Sequence, residues 1–196
     1  MFDNMRMAAL KRLDNRDPIE IARNAGVDFD GEAFRFSTLG KAVEVSYPQF
    51  LIFPPLPEWQ EMTVLHYLDL ADGIMLSAKQ MTFSQDKEGM VRGGGFDRDV
   101  EKIVAQKLGK LSPEELEHRC RSIGGVTESS NADLCIRFDY LPRYPVWLKI
   151  WFADEEYPAS GRMLVDQIAQ CYLTIEDAVT VGTLILDLLT DSEQWS

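Results

Sequence analysis

The chain has 196 residues, and its 32 acids against 20 bases give a formal charge of −12. Nucleic acid and anionic membrane surfaces are therefore poor partners, because binding them depends on lysines and arginines that neutralise phosphate, whereas a cation or a basic protein patch is electrostatically easier. A hydrophobic share of 45% and a charged share of 27% belong to the globular range, and a chain this long buries about 70% of its unfolded surface without needing staples.

Residues Asn4 to Leu13 carry Met5, Ala8, Ala9 and Leu13, the pattern of a short amphipathic helix. Charges run through this segment, so it lacks the apolar stretch of a secretory signal. "DPIEIARNAG" predicts a second helix, with Asp17 as N-cap, Pro18 at the first helical position and Gly26 as the stop. In "VDFDGEAFRFSTLGKAVEVSYP" two alternating runs flank Gly40 and predict a β-hairpin. "QFLIFPPLPEW" adds a short edge strand before its prolines end it. The PPLP there reads as a rigid loop rather than an SH3-type ligand.

From Glu58, "EWQEMTVLHYLDLADG" predicts a helix ending near Gly73. A strand is expected around Met81 to Phe83. The glycines of "RGGGF" then read as a flexible turn before a helix over about Asp97 to Leu108. They match neither GxxxxGK[ST] nor GxGxxG, since Arg98 stands where the third glycine belongs. "LSPEELEHRC" predicts another helix, capped by Ser112 with Pro113 at its first position.

"ADLCIRFDYLPRYPVWLKIWF" is the clearest β signal. Leu134, Ile136 and Phe138 alternate with Cys135, Arg137 and Asp139, and Val146, Leu148 and Ile150 alternate with Trp147, Lys149 and Trp151. Beyond Pro158 a helix carrying Leu164, Ile168, Cys171 and Tyr172 is expected. Thr174 and Asp177 then open a final apolar helix running to Leu189. The sum is an α+β class: a single domain over residues 1–196, with a mostly antiparallel sheet of hairpins packed with several helices.

The three cysteines, Cys120, Cys135 and Cys171, form no CxxC pair. They support no zinc ribbon or cysteine-held cluster and fit a reducing cytoplasm. No apolar run approaches the roughly 20 residues of a membrane span, so a soluble protein is expected. "GVDFDGE" fails as an EF-hand loop, because Gly26 and Ser37 fall where acidic ligands belong.

Two groups of residues carry the chemistry. Asp154, Glu155 and Glu156 follow a strand, where carboxylates serve as hard-cation ligands. Equally, they fit negative charge at the entrance of a helix whose first position is Pro158. Only two histidines exist, and His66 is the one placed toward an apolar helix face. It reads as a hydrogen-bonded, half-buried side chain or as a fourth ligand to a divalent cation. Trp147 and Trp151 share the non-core parity of the last hairpin. They pack beneath a helix or, with Tyr157, line a pocket for a planar ligand, with the acids at its rim.

Two stretches, "LHYLDLADG" and "FDYLPRYPVWLKIWFADEEYPASGRMLVDQIAQCYLTIEDA", together with the chain length resemble the family known as domain of unknown function 3786. The resemblance spans most of the chain and is most specific from Pro142 to Asp177. It implies a setting in anaerobic bacteria and archaea, where some members carry a fused iron–sulfur module. It further implies accessory work near corrinoid, methyl-transfer or redox systems, and the cofactor candidates are a divalent cation or a corrinoid or other tetrapyrrole. This chain lacks the cysteines of such a module and the D-x-H-x-x-G motif of free cobalamin binding.

The expected function is an accessory protein that binds a small ligand or a protein partner. One alternative is a hydrolase that uses a divalent cation held by Asp154, Glu155, Glu156 and His66 to activate water. Another is an interaction subunit whose acidic surface docks a basic partner.

Overall fold

The computed structural model describes residues 2–191; Met1 and residues 192–196, included in the single-domain expectation, lie outside it. Helices α1 (Phe2–Leu13) and α2 (Pro18–Ala25) open the chain. The Asp17 side chain accepts the Ile19 N–H at 3.0 Å. Gly26 adopts φ 66° and returns its N–H to Ala22, a left-handed stop that a residue with a Cβ enters only at a cost. Both ends of α2 are thus fixed by local chemistry.

Four strands follow as a meander: β1 (Asp28–Phe29), β2 (Ala33–Thr38), β3 (Lys41–Ser46) and β4 (Ile52–Phe53), paired in that order. Helix α3 (Glu58–Leu70) comes next, and nearly every side of it is buried, from Met62 to Asp69. A helix apolar all round belongs inside a core, and α3 lies against α1, α2 and α6 (Ile175–Thr190).

After an irregular strap over residues 71–79, β5 (Gln80–Met81) and a short 3₁₀ turn (Phe83–Gln85) lead into α4 (Arg92–Gln106) and α5 (Pro113–Ser122). The second sheet uses β5 with β6 (Gly125–Thr127), β7 (Leu134–Leu141), β8 (Tyr144–Trp151) and β9 (Ser160–Asp166), in the order β5-β9-β8-β7-β6. Every strand pair in both sheets is antiparallel. The α+β class therefore stands, with two sheets in place of one. A shared core joins Phe34 and Val45 of the first sheet, Ile136, Phe138 and Leu148 of the second, Leu65 of α3 and Ile185 of α6. Each such fully buried apolar side chain contributes about 1.5–3 kcal/mol relative to exposure.

The structure overturns two expectations. The helix expected beyond Pro158 is strand β9, paired with β8 from Val146↔Val165 to Trp151↔Ser160. Gly161, Met163 and Val165 turn inward, and a Cβ on Gly161 would meet the Lys149 carbonyl at 2.9 Å. Pairing along a whole strand outweighed a short apolar pattern that fits either period. The second concerns the glycine run, which is no loose turn but the first turn of α4.

That turn presses on the 3₁₀ segment. A Cβ at Gly93 would sit 2.3 Å from the Phe83 carbonyl oxygen, whereas one at Gly95 would meet nothing within 4 Å. Gly93→Ala is expected to cost about 2 kcal/mol or more through backbone displacement. Gly95→Ala is expected to stabilise by about 0.5–1 kcal/mol by removing the helix penalty of glycine. Thermal melts of the two variants should move in opposite directions; equal shifts would show that the α4 entrance does not depend on the close approach.

Candidate functional site

The outer face of the five-stranded sheet carries the candidate site. Antiparallel register places Val126, Arg137, Trp147 and Leu164 in one row across β6, β7, β8 and β9. Their chain neighbours Ile136, Phe138, Leu148 and Val165 point the other way into the core. Trp147 is 8% exposed and packs with Cys135 and Leu164 in a small cluster separate from the main core. The non-core parity read for Trp147 is the parity observed.

A polar chain ties this row together. The Trp147 indole N–H donates to Glu128 Oε2 at 2.9 Å, and Glu128 Oε1 lies 3.0 Å from Arg137 Nη1. On its other side Arg137 donates from Nη2 to Asp139 Oδ2 at 3.2 Å. Its Nε lies 3.1 Å from Asp139 Oδ1, yet the N–H is not aligned on that oxygen and makes no hydrogen bond. The guanidinium is thereby fixed between two carboxylates, and this trio carries one net negative charge.

Over this face lies a cavity of about 610 Å³ whose lining includes Trp147, Arg137, Asp139, Pro145, Leu76 and Ser37. Gly40 and Gly124 also line it, both at positive φ, and a Cβ on Gly124 would stand 2.6 Å from Gly40 N. Only glycines allow the β2–β3 turn and the turn before β6 to meet there.

The strap over residues 71–79 forms another wall and is anchored by polar contacts. Asp166 accepts the Ser77 N–H at 3.1 Å, the Ser77 hydroxyl at 2.7 Å, the Ala78 N–H at 2.9 Å and the Ile168 N–H at 3.1 Å. Arg143 donates to the Gly73 carbonyl at 3.0 Å, and the Tyr172 hydroxyl donates to that of Ile74.

The other sequence-selected residues fall elsewhere. Trp151, beyond the row, donates its indole N–H to the Asn131 carbonyl at 3.1 Å. Tyr157 and the three acids occupy the β8–β9 connection and are exposed. Asp154 closes that connection as a side-chain turn, accepting the N–H groups of Glu156 at 2.8 Å and Tyr157 at 2.7 Å. The N–H groups of Tyr157 and Glu156 hold its carboxyl below the ordinary value. Since β9 follows, the acids do not mark the entrance of a helix.

His66 lies against α6, where its Nδ1 is 2.8 Å from Asp177 Oδ1. Asp177 also accepts the Thr174 hydroxyl at 2.7 Å through Oδ2 and donates its N–H to Thr174 Oγ1 at 3.2 Å. The expected cap of α6 is thus formed, and its second carboxylate oxygen is the partner of the histidine. Among the described residues, no group of three or more His, Cys, Asp or Glu side chains is placed to hold a metal ion.

Glu128, Arg137, Asp139 and Asp166 are not among the residues that sequence patterns single out as a site. Arg137 and Asp139 alternate on the outward parity of β7, a signal available in the chain. Nothing local ties them to Trp147 across the sheet, and Asp166 falls in the segment whose apolar pattern predicts a helix.

Fold and site define an α+β protein with a cavity on the outer face of its larger sheet. The model of the family Domain of unknown function (DUF3786) matches residues 17–187, so the chain belongs to that family. No curated protein and no solved structure matches it. Among the described residues no helix is long and apolar enough to cross a membrane.

Proposed function

We propose that the protein binds a small organic ligand in the cavity over the five-stranded sheet. The observation that carries this reading is the meeting of one indole, one fixed guanidinium and the Asp139 carboxylate in the lining of a cavity of about 610 Å³, the indole and the guanidinium both being braced by Glu128. Ligand sites commonly enclose about 300–1,000 Å³, mostly apolar with a few placed polar groups. Trp147, Pro145 and Leu76 offer an apolar wall for a flat body. Asp139 is the available acceptor, since the Asp166 oxygens are taken up by the strap. A planar ligand with an amine or amide at its edge fits this charge balance. All three cysteines are free, which agrees with a reducing cytoplasmic setting.

The test is a thermal-shift panel of planar amines, nucleosides, tetrapyrroles, corrinoids and divalent cations, with tryptophan fluorescence as the second readout. A ligand at 100 times its dissociation constant adds about 2.7 kcal/mol, worth roughly 5–11 °C for a chain of this size. A rise with one planar ligand, lost in Trp147→Leu and Asp139→Asn but kept in Glu155→Gln, is the expected result. A rise that both cavity variants retain would sink the proposal. Stabilisation by a divalent cation that disappears in Glu155→Gln and His66→Ala would instead favour the hydrolase alternative.

A further inference from the structure

A second concave surface lies at the opposite kind of place, between helices and a sheet edge. Helix α1 is held along α3 by Arg6, whose Nε donates to Glu61 Oε1 at 2.8 Å, and by Arg12, whose Nε lies 2.5 Å from Asp69 Oδ2. Strand β4 is an edge strand of the first sheet. Between α1, β4 and the start of α3 runs a groove of about 450 Å³. It shares no lining residue with the ligand cavity.

Two features of this groove call for an occupant. Two apolar groups of its lining are open, Leu51 at 46% and Phe53 at 52% exposed, and the lining residue Phe2 meets edge-on, at 4.3 Å, the ring of Trp59, which is 47% exposed beside the groove. Scattered exposed apolar residues need no explanation, but a run of large ones along a concave surface marks a contact site. Its charge is also one-sided. Among the described residues of the lining, Arg6 is the only base and is committed to Glu61, while Asp3 and Glu58 have no ion-pair partner among the described residues.

Asp3 and Glu58 do stand in the first turns of α1 and α3, where negative charge favours the helix end. That role accounts for the acids but not for the open Leu51, Phe53 and Trp59 beside them. Prolines 54 and 55 limit β4 to two residues, so a long added strand has no template there. A short segment with large apolar side chains and flanking cations satisfies both features.

We propose that this groove docks a short apolar segment of a protein partner flanked by lysine or arginine. The probe is a short fluorescent peptide of leucines and lysines, read by anisotropy against its leucine–glutamate counterpart. The lysine peptide is expected to bind more weakly as salt rises. Binding should fall by about ten-fold or more in Phe53→Ser and in the double variant Asp3→Asn with Glu58→Gln.

The control is the double variant Glu155→Gln with Glu156→Gln, which removes the same charge from the β8–β9 loop and should leave binding unchanged. Circular dichroism reports whether each variant folds, and Leu51→Ser replaces Phe53→Ser if the latter does not. Equal weakening in the two charge variants would reduce the effect to net charge and overturn the proposal. So would binding of the glutamate peptide, absence of binding, or a dimer in sedimentation that Phe53→Ser abolishes.

Discussion

Raising the pH from about 9 to about 11 is expected to remove several kcal/mol of folding free energy, a large share of what a domain of ordinary stability has. The cause is a set of acids that the fold keeps neutral. Burial pushes the Cys120 thiol up to about 12 from 9.0, and burial raises the phenols of Tyr67, Tyr140 and Tyr144 well above 10.0. The unfolded chain ionises these groups first, so above about pH 9 it binds fewer protons than the native state. Stability is therefore intact below that range and falls as pH rises through it.

The three phenols differ in what they hold. The Tyr67 hydroxyl donates to the Ala25 carbonyl at 2.5 Å and accepts the Arg143 N–H at 3.0 Å, and the Tyr140 hydroxyl meets that of Thr63. The Tyr144 hydroxyl is buried with no hydrogen-bond partner among the described residues. An unpaired buried hydroxyl costs about 1–3 kcal/mol. Tyr144→Phe should consequently be neutral or stabilising at pH 7 and should move the alkaline transition upward. Tyrosinate absorbance and far-ultraviolet circular dichroism should change together. Ionisation of these tyrosines ahead of the loss of structure would show that the core admits their charge.

Asp166→Ala is expected to cost about 4 kcal/mol and to lower the melting temperature by roughly 8–16 °C. The carboxylate is 2% exposed and gathers the N–H groups of Ser77, Ala78 and Ile168 and the Ser77 hydroxyl. Removing it strands those donors where the strap meets β9, and hydrogen bonds to a charged acceptor are the costly ones to lose. Asp166→Asn keeps one acceptor oxygen and should lose less. Because Asp166 and the strap residues Leu76 and Ala78 line the cavity, hydrogen exchange over residues 71–79 should accelerate in Asp166→Ala. Unchanged exchange there, with the same loss of stability, would separate the carboxylate from the cavity wall.

The phenols of Tyr67 and Tyr140 and the Asp166 carboxylate act through partners far away in the chain. In the sequence Tyr67 is only a neighbour of His66, Tyr140 and Tyr144 are positions in a hairpin, and Asp166 falls where a helix is expected and strand β9 forms. The two tryptophans were placed on the right face, but only Trp147 reached the cavity. The acids that drew attention as a run of three are a surface turn. The ones that line the cavity, Asp139 and Asp166, come from separate strands, β7 and β9.

The chain by itself determined what local chemistry can decide. Asp17, Pro18 and Gly26 set the ends of α2, Ser112 and Pro113 set the start of α5, and Thr174 with Asp177 caps α6. The alternation of β7 and β8 and the α+β class were legible for the same reason. Such signals act within a turn or along one strand, over distances the sequence states directly. Tertiary structure alone decided that β9 is a strand, that Gly93 must lack a side chain, and that Arg137 and Trp147 share a row. It also brought His66 to Asp177 across 111 residues. These choices turn on register, close approach and desolvation between segments far apart in the chain, where the free energy belongs to the assembled pair and to neither segment alone.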